Sequence, residues 1–268
     1  MNTVPTIDYI MEDPREAARL EAKVDPDAWV HKYLAQRVGP SAEVLSVGCG
    51  PGVILNEVSE LHPSVHATGI DISADRVKEA IQRNRENPRL KFVRGDAQGM
   101  PFSSDSFDLV YSRMLLQYLR EKEKAVAEMV RVCKPQGTVL LQDLDGQLLW
   151  HYPEDARVQR AVEKVLASLA PTGFDPFIGR KLFWLAQKAG LKKLYVQVEC
   201  YHLIAGAVEQ RILRQWELKL DIAKSRMAEA LGSKEEAEEQ IQRFLEYLCR
   251  PDTLTYSVQF TVTGEKAA

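Results

Sequence analysis

Between Glu43 and Tyr201, short apolar runs alternate with amphipathic stretches, and this alternation constrains the possible folds more than any other feature of the chain. Val44-Leu45-Ser46-Val47 reads as a first strand, Val65–Asp71 as a second and Leu90–Asp96 as a third. Phe107–Ser112 and Gly137–Asp143 read as the fourth and fifth. Helices are predicted from Val53, from the cap Ser73 through Ala80, and up to Val132. Strands that are apolar along their whole length are buried on both faces, as in a parallel sheet covered by helices on either side. Right-handed crossovers then give a doubly wound, Rossmann-like α/β sheet.

Past Asp145 the pattern is less regular. Residues 154–170 and 179–190 suggest two helices, Leu194–Tyr201 a sixth strand, and 205–249 a long polar helical stretch. Thr255–Thr263 alternates strictly, which predicts an edge or antiparallel partner for a seventh strand. At the other end, residues 7–39 read as helical: Ile10, Ala17, Leu20 and Val24, then Trp29, Val30, Tyr33, Leu34 and Val38, recur at steps of three and four until Gly39-Pro40. The expected architecture is a mostly parallel seven-stranded sheet with an antiparallel last strand and a helical cap. It divides into a lid over 1–41, a core over 42–202, and a cap insertion with the final strand over 203–268, all within one structural domain.

Composition removes several classes of function. With 45% hydrophobic residues the chain has enough apolar side chain to bury a core, and 35 Lys+Arg against 38 Asp+Glu leave a net charge of −3. That balance offers no basic footprint for nucleic acid. Cys49, Cys133, Cys200 and Cys249 are widely separated and form no C-x-x-C pair, which suits reduced thiols and a cytoplasmic protein. No window reaches the ~18 apolar residues of a membrane span, and no amino-terminal leader pattern is present. His62 and His66 are four apart, but Pro63 follows the first and no third ligand is near, so no metal site is expected. Lys234–Glu239 reads as a solvated helix face with a Lys234–Glu238 pair.

Val47-Gly48-Cys49-Gly50-Pro51-Gly52 lies directly between the first strand and its helix. Glycines there allow a sharp turn and let a ligand approach the backbone, while the helix amino terminus offers unpaired N–H groups. A tight strand–helix turn would use the same residues. Asp71, ending the second strand, is placed to accept both hydroxyls of a ribose held over that loop. The loop reads G-x-G-x-G, with Val53 where a dinucleotide fingerprint needs its last glycine, which demotes a nicotinamide or flavin dinucleotide.

Val44–Gly52 closely resembles the first motif of the class I S-adenosylmethionine-dependent methyltransferases, and the later motifs follow in that family's order. Gly95-Asp96-Ala97 resembles the loop that holds the adenine amino group, Phe107–Leu119 the fourth-strand motif, and Lys134-Pro135-Gln136-Gly137 the turn before strand five. Tyr9 with Glu16, Arg19 and Leu20 is similar to the lead-in of small-molecule members, the type 11, ubiquinone-biosynthesis-like branch, in which a Tyr and an Arg close over the methionine end. The resemblance covers residues 9–200 and the last strand. It implies S-adenosylmethionine as cofactor, with Tyr9, Arg19, Gly48, Cys49, Gly50, Asp71, Ile72, Arg76, Asp96, Ala97, Ser112 and Arg113 around it.

Three positions depart from the family pattern. Ser46 stands where an acid is usual and Tyr118 where many relatives carry His. Gln136 replaces a Gly in the strand-five turn, which is expected to ask only for a less unusual backbone angle. On the acceptor side the candidates are Tyr118, Asp145 and His151; Asp143 alternates with Asp145, so one should face a ligand and the other a cap or salt bridge. His202 is a further candidate. Methyl transfer to O, N or C of a small organic acceptor needs positioning and water exclusion more than a base, which helps only when the acceptor must lose a proton. The chain would act as a monomer or homodimer. An RNA or protein methyltransferase stays open, although Tyr111-Ser112-Arg113-Met114 lacks the Pro-Pro-aromatic clamp for a flipped base. So does a non-catalytic cofactor-binding protein, on account of Ser46.

Overall fold

The structure, a computed structural model, describes Arg15 and residues 24–268. Glu43–Val47 (β1), His66–Asp71 (β2), Leu90–Arg94 (β3) and Phe107–Arg113 (β4) are all parallel, in the order β3-β2-β1-β4. Val44, Leu45, Leu109 and Val110 lie at its centre with no exposed surface. Burying each such side chain is worth about 1.5–3 kcal/mol, which fixes the apolar runs as strands covered on both faces. The helices Val53–Glu60 (α2), Ala74–Arg83 (α3) and Lys122–Val132 (α4) supply the cover. Ser73 caps α3, its Oγ accepting the Arg76 N–H at 3.3 Å.

Cys133–Tyr152 (β5) continues the parallel order beside β4. Leu254–Glu265 (β7) then runs antiparallel between β5 and Lys192–Ala205 (β6), completing the order β3-β2-β1-β4-β5-β7-β6. The alternating last strand is therefore antiparallel but interior, and β6 forms the edge. The buried face of β7 carries Ser257, Thr261 and Thr263, short polar side chains that the alternation left unexplained.

The last three strands run at least three residues beyond their predicted lengths. β5 passes Asp143, turns through Gly146 (φ 74°) and Leu148 (φ 49°), and resumes pairing at Trp150–Tyr152 opposite Leu254–Tyr256. The bulge carries the strands beyond the core, where Leu148 and Ile204 meet Trp216, Tyr247 and Leu248 in a separate apolar cluster. That cluster seats Gln210–Leu231 (α7) and Lys234–Leu248 (α8), whose N-cap is Ser233. Glu238 pairs with Lys224 of α7. Ala156–Leu169 (α5) and Leu182–Lys188 (α6) lie between β5 and β6.

The amino-terminal helical reading breaks at Asp25-Pro26. Pro26–Tyr33 (α1) starts there because proline suits a first helical position and Asp25 Oδ1 accepts the Ala28 N–H at 3.1 Å. Trp29 packs on Tyr33 and Tyr111 and donates Nε1–H to Gln142 at 2.7 Å; Gln142 in turn donates to Thr261 at 2.7 Å. Tyr33 donates to Glu199 on β6, and Lys32 pairs with the same carboxylate at 2.6 Å. Among the described residues, no helix is long and apolar enough to cross a membrane.

Gln136 corrects the expectation that its turn would relax. It keeps the left-handed backbone, at φ 64°, because the turn is clamped by Gln136 N–H to Lys266 O and Lys266 N–H to Gly137 O, both 3.0 Å. A side chain there costs roughly 1–2 kcal/mol, partly offset by the greater unfolded-state freedom of glycine. Gln136→Gly should therefore raise unfolding stability by up to about 1 kcal/mol, read as a higher denaturation midpoint in urea.

Candidate functional site

The chain leaves β1 toward β2 and β3 and returns on the other side at β4, so the carboxyl ends of β1 and β4 diverge into a crevice. Gly48 (φ 72°) and Gly50 (φ 53°) turn the chain there into α2. A Cβ on Gly50 would meet nothing within 4 Å; it would project into the open crevice. Asp71 links the loop to β2, with Oδ2 accepting the Gly50 N–H at 2.8 Å and Oδ1 the Ser73 N–H at 3.0 Å. These two bonds fix the carboxylate at the edge of the crevice, which it lines. Asp96 similarly accepts the Gln98 N–H at 2.8 Å while facing the crevice.

The crevice opens into a cavity of about 1020 Å³. This lies at the upper end of the ~300–1,000 Å³ typical of ligand pockets and is large enough for two ligands side by side. One half is polar. Gly48, Cys49, Gly50, Asp71, Ile72, Arg76, Asp96, Ala97 and Arg113 all line it, as do Ser46 and Tyr111. The other half is apolar, walled by α5, α7 and α8, and Tyr118 lies beside Phe174 with ring centroids 5.6 Å apart.

Placement of the remaining candidates is mixed. Tyr9 and Arg19 lie outside the described residues. Ser112 is turned inward at 1% exposure and does not line the cavity, because alternation along β4 gives that role to Tyr111 and Arg113. Asp145 is also a correction: its carboxylate accepts from the Arg180 backbone N–H at 3.0 Å and from Nε at 2.8 Å, away from the cavity. His151 is set among Phe244 and Tyr247 in the cap cluster, and burial holds its pKa below the ordinary value. His202 bonds Ser257 at 3.0 Å and packs on Trp216. Neither histidine lines the cavity.

Asp143 does not face the ligand space either. Fully buried, it accepts the Gln117 N–H at 3.1 Å and the Leu144 N–H at 2.9 Å, and so pins the 3-10 turn Leu116–Tyr118 that carries Tyr118. Sequence reasoning missed Trp216, Lys219, Arg226, Met227 and Phe244. With Leu220 and Ala223 the residues from Trp216 to Met227 recur at steps of three and four, a pattern that was legible but hidden in a stretch read as simply polar.

Ser46 is compatible with this arrangement. It lines the cavity beside the Tyr111 hydroxyl, whose pKa burial pushes far above its ordinary value. The Nε of Arg113 is buried without a hydrogen-bond partner among the described residues, and its Nη2 lies 3.4 Å from the Tyr201 hydroxyl. An unsatisfied guanidinium N–H over an open glycine loop, with two carboxylates facing the same space, fits a ligand with hydroxyls, amines and a carboxylate.

A glycine loop at the switch point of a doubly wound sheet lies where open α/β sheets receive their ligands. Residues 44–137 match the family model described as a methyltransferase domain. The chain is 36% identical over 138 residues to phthiotriol/phenolphthiotriol dimycocerosates methyltransferase of Mycobacterium leprae, covering 50% of each chain. The chain thus spans about half the length of the curated relatives it matches. The structure of the YcgJ protein from Bacillus subtilis is similar at TM-score 0.61 and 19% identity, over 91% of this chain and 98% of that one. So is phosphoethanolamine N-methyltransferase 2 of Haemonchus contortus, solved with S-adenosylhomocysteine and phosphomonomethylethanolamine. There the TM-score is 0.63 and the identity 15%, over 99% of this chain and 61% of the other.

Burial raises the Asp143 pKa to about 7, above the ~3.9 of a free aspartate. Between those values the folded chain holds a proton that the unfolded chain has released, so stability falls as pH rises through that window and levels off above it. Relative to Asp143→Asn, the wild type should lose unfolding stability from pH 5 to pH 7, by at most about 1.4 kcal/mol per pH unit, in urea titrations at each pH.

Proposed function

We propose that this protein transfers the methyl group of S-adenosylmethionine to oxygen, nitrogen or carbon of a small organic acceptor. The observation that carries this reading is the continuity of the cavity: a polar half built on the glycine loop, Asp71 and Asp96 opens directly into an apolar half walled by the cap helices. When bound, S-adenosylmethionine supplies an electrophilic methyl group on a sulfonium. Asp71 would accept the ribose hydroxyls and Asp96 the adenine amino group, while the backbone at Gly48–Gly50 admits close approach. Arg113 has the donors for the carboxylate of the methionine end, in a site where Ser46 replaces the usual acid.

Among the described residues, no carboxylate or imidazole lines the apolar half. The chain therefore contributes orientation and exclusion of water, effects that together can lower a barrier by ~7–11 kcal/mol. The Mycobacterium leprae relative is named for methylation of phthiotriol dimycocerosates, which supports a low-molecular-weight rather than a macromolecular acceptor.

Calorimetric titration with S-adenosylmethionine and S-adenosylhomocysteine tests the reading. Both should bind, and a 100-fold excess over Kd should stabilise the fold by about 2.7 kcal/mol. Asp71→Ala should weaken both by at least about tenfold, the equivalent of one lost charged hydrogen bond. Absence of binding by either compound would overturn the proposal. Binding without transfer of label to any compound in a metabolite extract would favour the non-catalytic alternative.

A further inference from the structure

The outer part of the β5-β7-β6 ladder turns its apolar side to water. Residues paired across an antiparallel ladder share a face, and successive residues alternate between faces. On β7, Thr255, Ser257, Gln259 and Thr261 make up one face and are buried, whereas Leu254, Tyr256 and Val258 belong to the other. Leu254 pairs with Tyr152 and Ala205, and Tyr256 with Trp150 and Leu203, which places all six on this second face. Val198, opposite Phe260, extends it along β6. Tyr152 is 73% and Leu203 62% exposed, and Val198, Leu254 and Tyr256 are exposed beside them. An antiparallel sheet with one side in water ordinarily buries its apolar face. Here the polar face is the buried one.

The cover over the apolar face stops at Phe260. A Cβ on Gly179 would lie 2.9 Å from that ring, and Leu182 and Leu185 of α6 share the main core with Phe260 and Val262. The amino-terminal part of the chain attaches on the opposite side. Tyr33 accepts from Gln259 at 3.2 Å on the polar face, and Arg15 pairs with Asp221 of α7, the helix seated over Leu148 and Ile204. The free edge of β6 is also blunted. Register shifts at Lys192–Tyr195 and Cys200–His202 interrupt it, and bulges of this kind discourage addition of a further strand.

A fully exposed aromatic side chain presents ~150–250 Å² and an aliphatic one somewhat less, so Tyr152, Val198, Leu203, Leu254 and Tyr256 together offer about 500 Å² of apolar surface. That is near the top of the ~300–600 Å² found for the largest patch on a monomer. Apolar atoms make up about 60% of a protein interface, so the patch corresponds to a footprint of about 800 Å² per partner, the size a stable dimer needs. No charged residue stands among these five or among Trp150, Cys200, Ala205 and Val258 beside them. The same face on another copy therefore meets it without like-charge repulsion, as a two-fold interface requires, whereas an anionic membrane would call for Lys or Arg there.

We propose that this face is a dimer interface, in which a second copy of the chain packs its own β5-β7-β6 ladder against it with Leu203 and Tyr256 in the apolar core. Sedimentation equilibrium of the full chain over a concentration series should show a reversible dimer. Leu203→Glu and Val198→Glu should each raise its dissociation constant at least about tenfold, because two-fold symmetry introduces the charge twice. Leu203→Ser, which removes apolar surface without adding charge, should raise it several-fold. Tyr195 is exposed on the opposite face of β6, paired with Thr263, and Tyr195→Glu should leave the dimer unchanged. Unaltered far-ultraviolet circular dichroism reports an intact fold, and the variants that pass this check decide the outcome. A monomer at every concentration, a dimer insensitive to the Leu203 and Val198 variants, or one broken equally by Tyr195→Glu would overturn the inference. So would a monomer that sediments with phosphatidylglycerol vesicles and loses that binding in Leu203→Glu, which would assign the face to a lipid surface.

Discussion

The antiparallel pairing of β5 with β7 is the contact on which the rest of the structure depends. It runs from Thr138–Glu265 to Tyr152–Leu254, well past the core sheet. Its inner half completes the sheet against which β4 and the crevice are set. Its outer half, beyond the bulge at Asp145–Trp150, presents Leu148 to the cluster that seats α7 and α8. Those helices wall the ligand cavity, so one ladder fixes both the floor of the site and its roof. A break in the ladder would separate them, because α7 and α8 belong to a cluster of their own around Leu148, Ile204 and Trp216.

Polar contacts then set the roof and the lead-in at fixed positions. Gln142 on β5 receives Trp29 from α1 and donates to Thr261 on β7, while Tyr33 and Lys32 hold Glu199 on β6. The Glu199 pKa is held down, first by the hydrogen bond from Lys32 and then by that from Tyr33. The buried Trp29–Gln142–Thr261 chain contributes little net energy when satisfied but would be costly if orphaned, so it selects one docking of α1 over its neighbours. Asp145 with Arg180 serves the same purpose between β5 and the turn before α6. That structural duty explains why an acid at the carboxyl end of a strand takes no part in ligand contact.

Much of this was legible in the residues themselves. Continuous apolar runs located the parallel strands, since two-sided burial leaves no room for polar alternation. Gly48 and Gly50 marked the loop, Asp71 was read from its place at the end of the second strand and Asp96 from a motif resemblance, and both line the cavity. The errors share a cause. Ser112 came from the resemblance to a motif, and Asp145 and His151 from nearness in sequence to a strand end, whereas facing direction depends on register and on the β5 bulge. Gln136 was misjudged because the clamp by Lys266 comes from 130 residues along the chain. Asp25-Pro26 carried a helix-start signal that the wider periodicity obscured.

The sequence by itself determined the class of fold and the polar half of the site, because local periodicity and a glycine loop between strand and helix act over a few residues. Tertiary structure alone decided which acid is structural, which side chains wall the apolar half of the cavity, and that α7 turns Lys219 and Arg226 rather than its acids toward it. Those outcomes require β7 to pair with β5 across more than a hundred residues and with β6 on its other side, and the direction of a side chain on a helix is settled only when its neighbours take one face out of water.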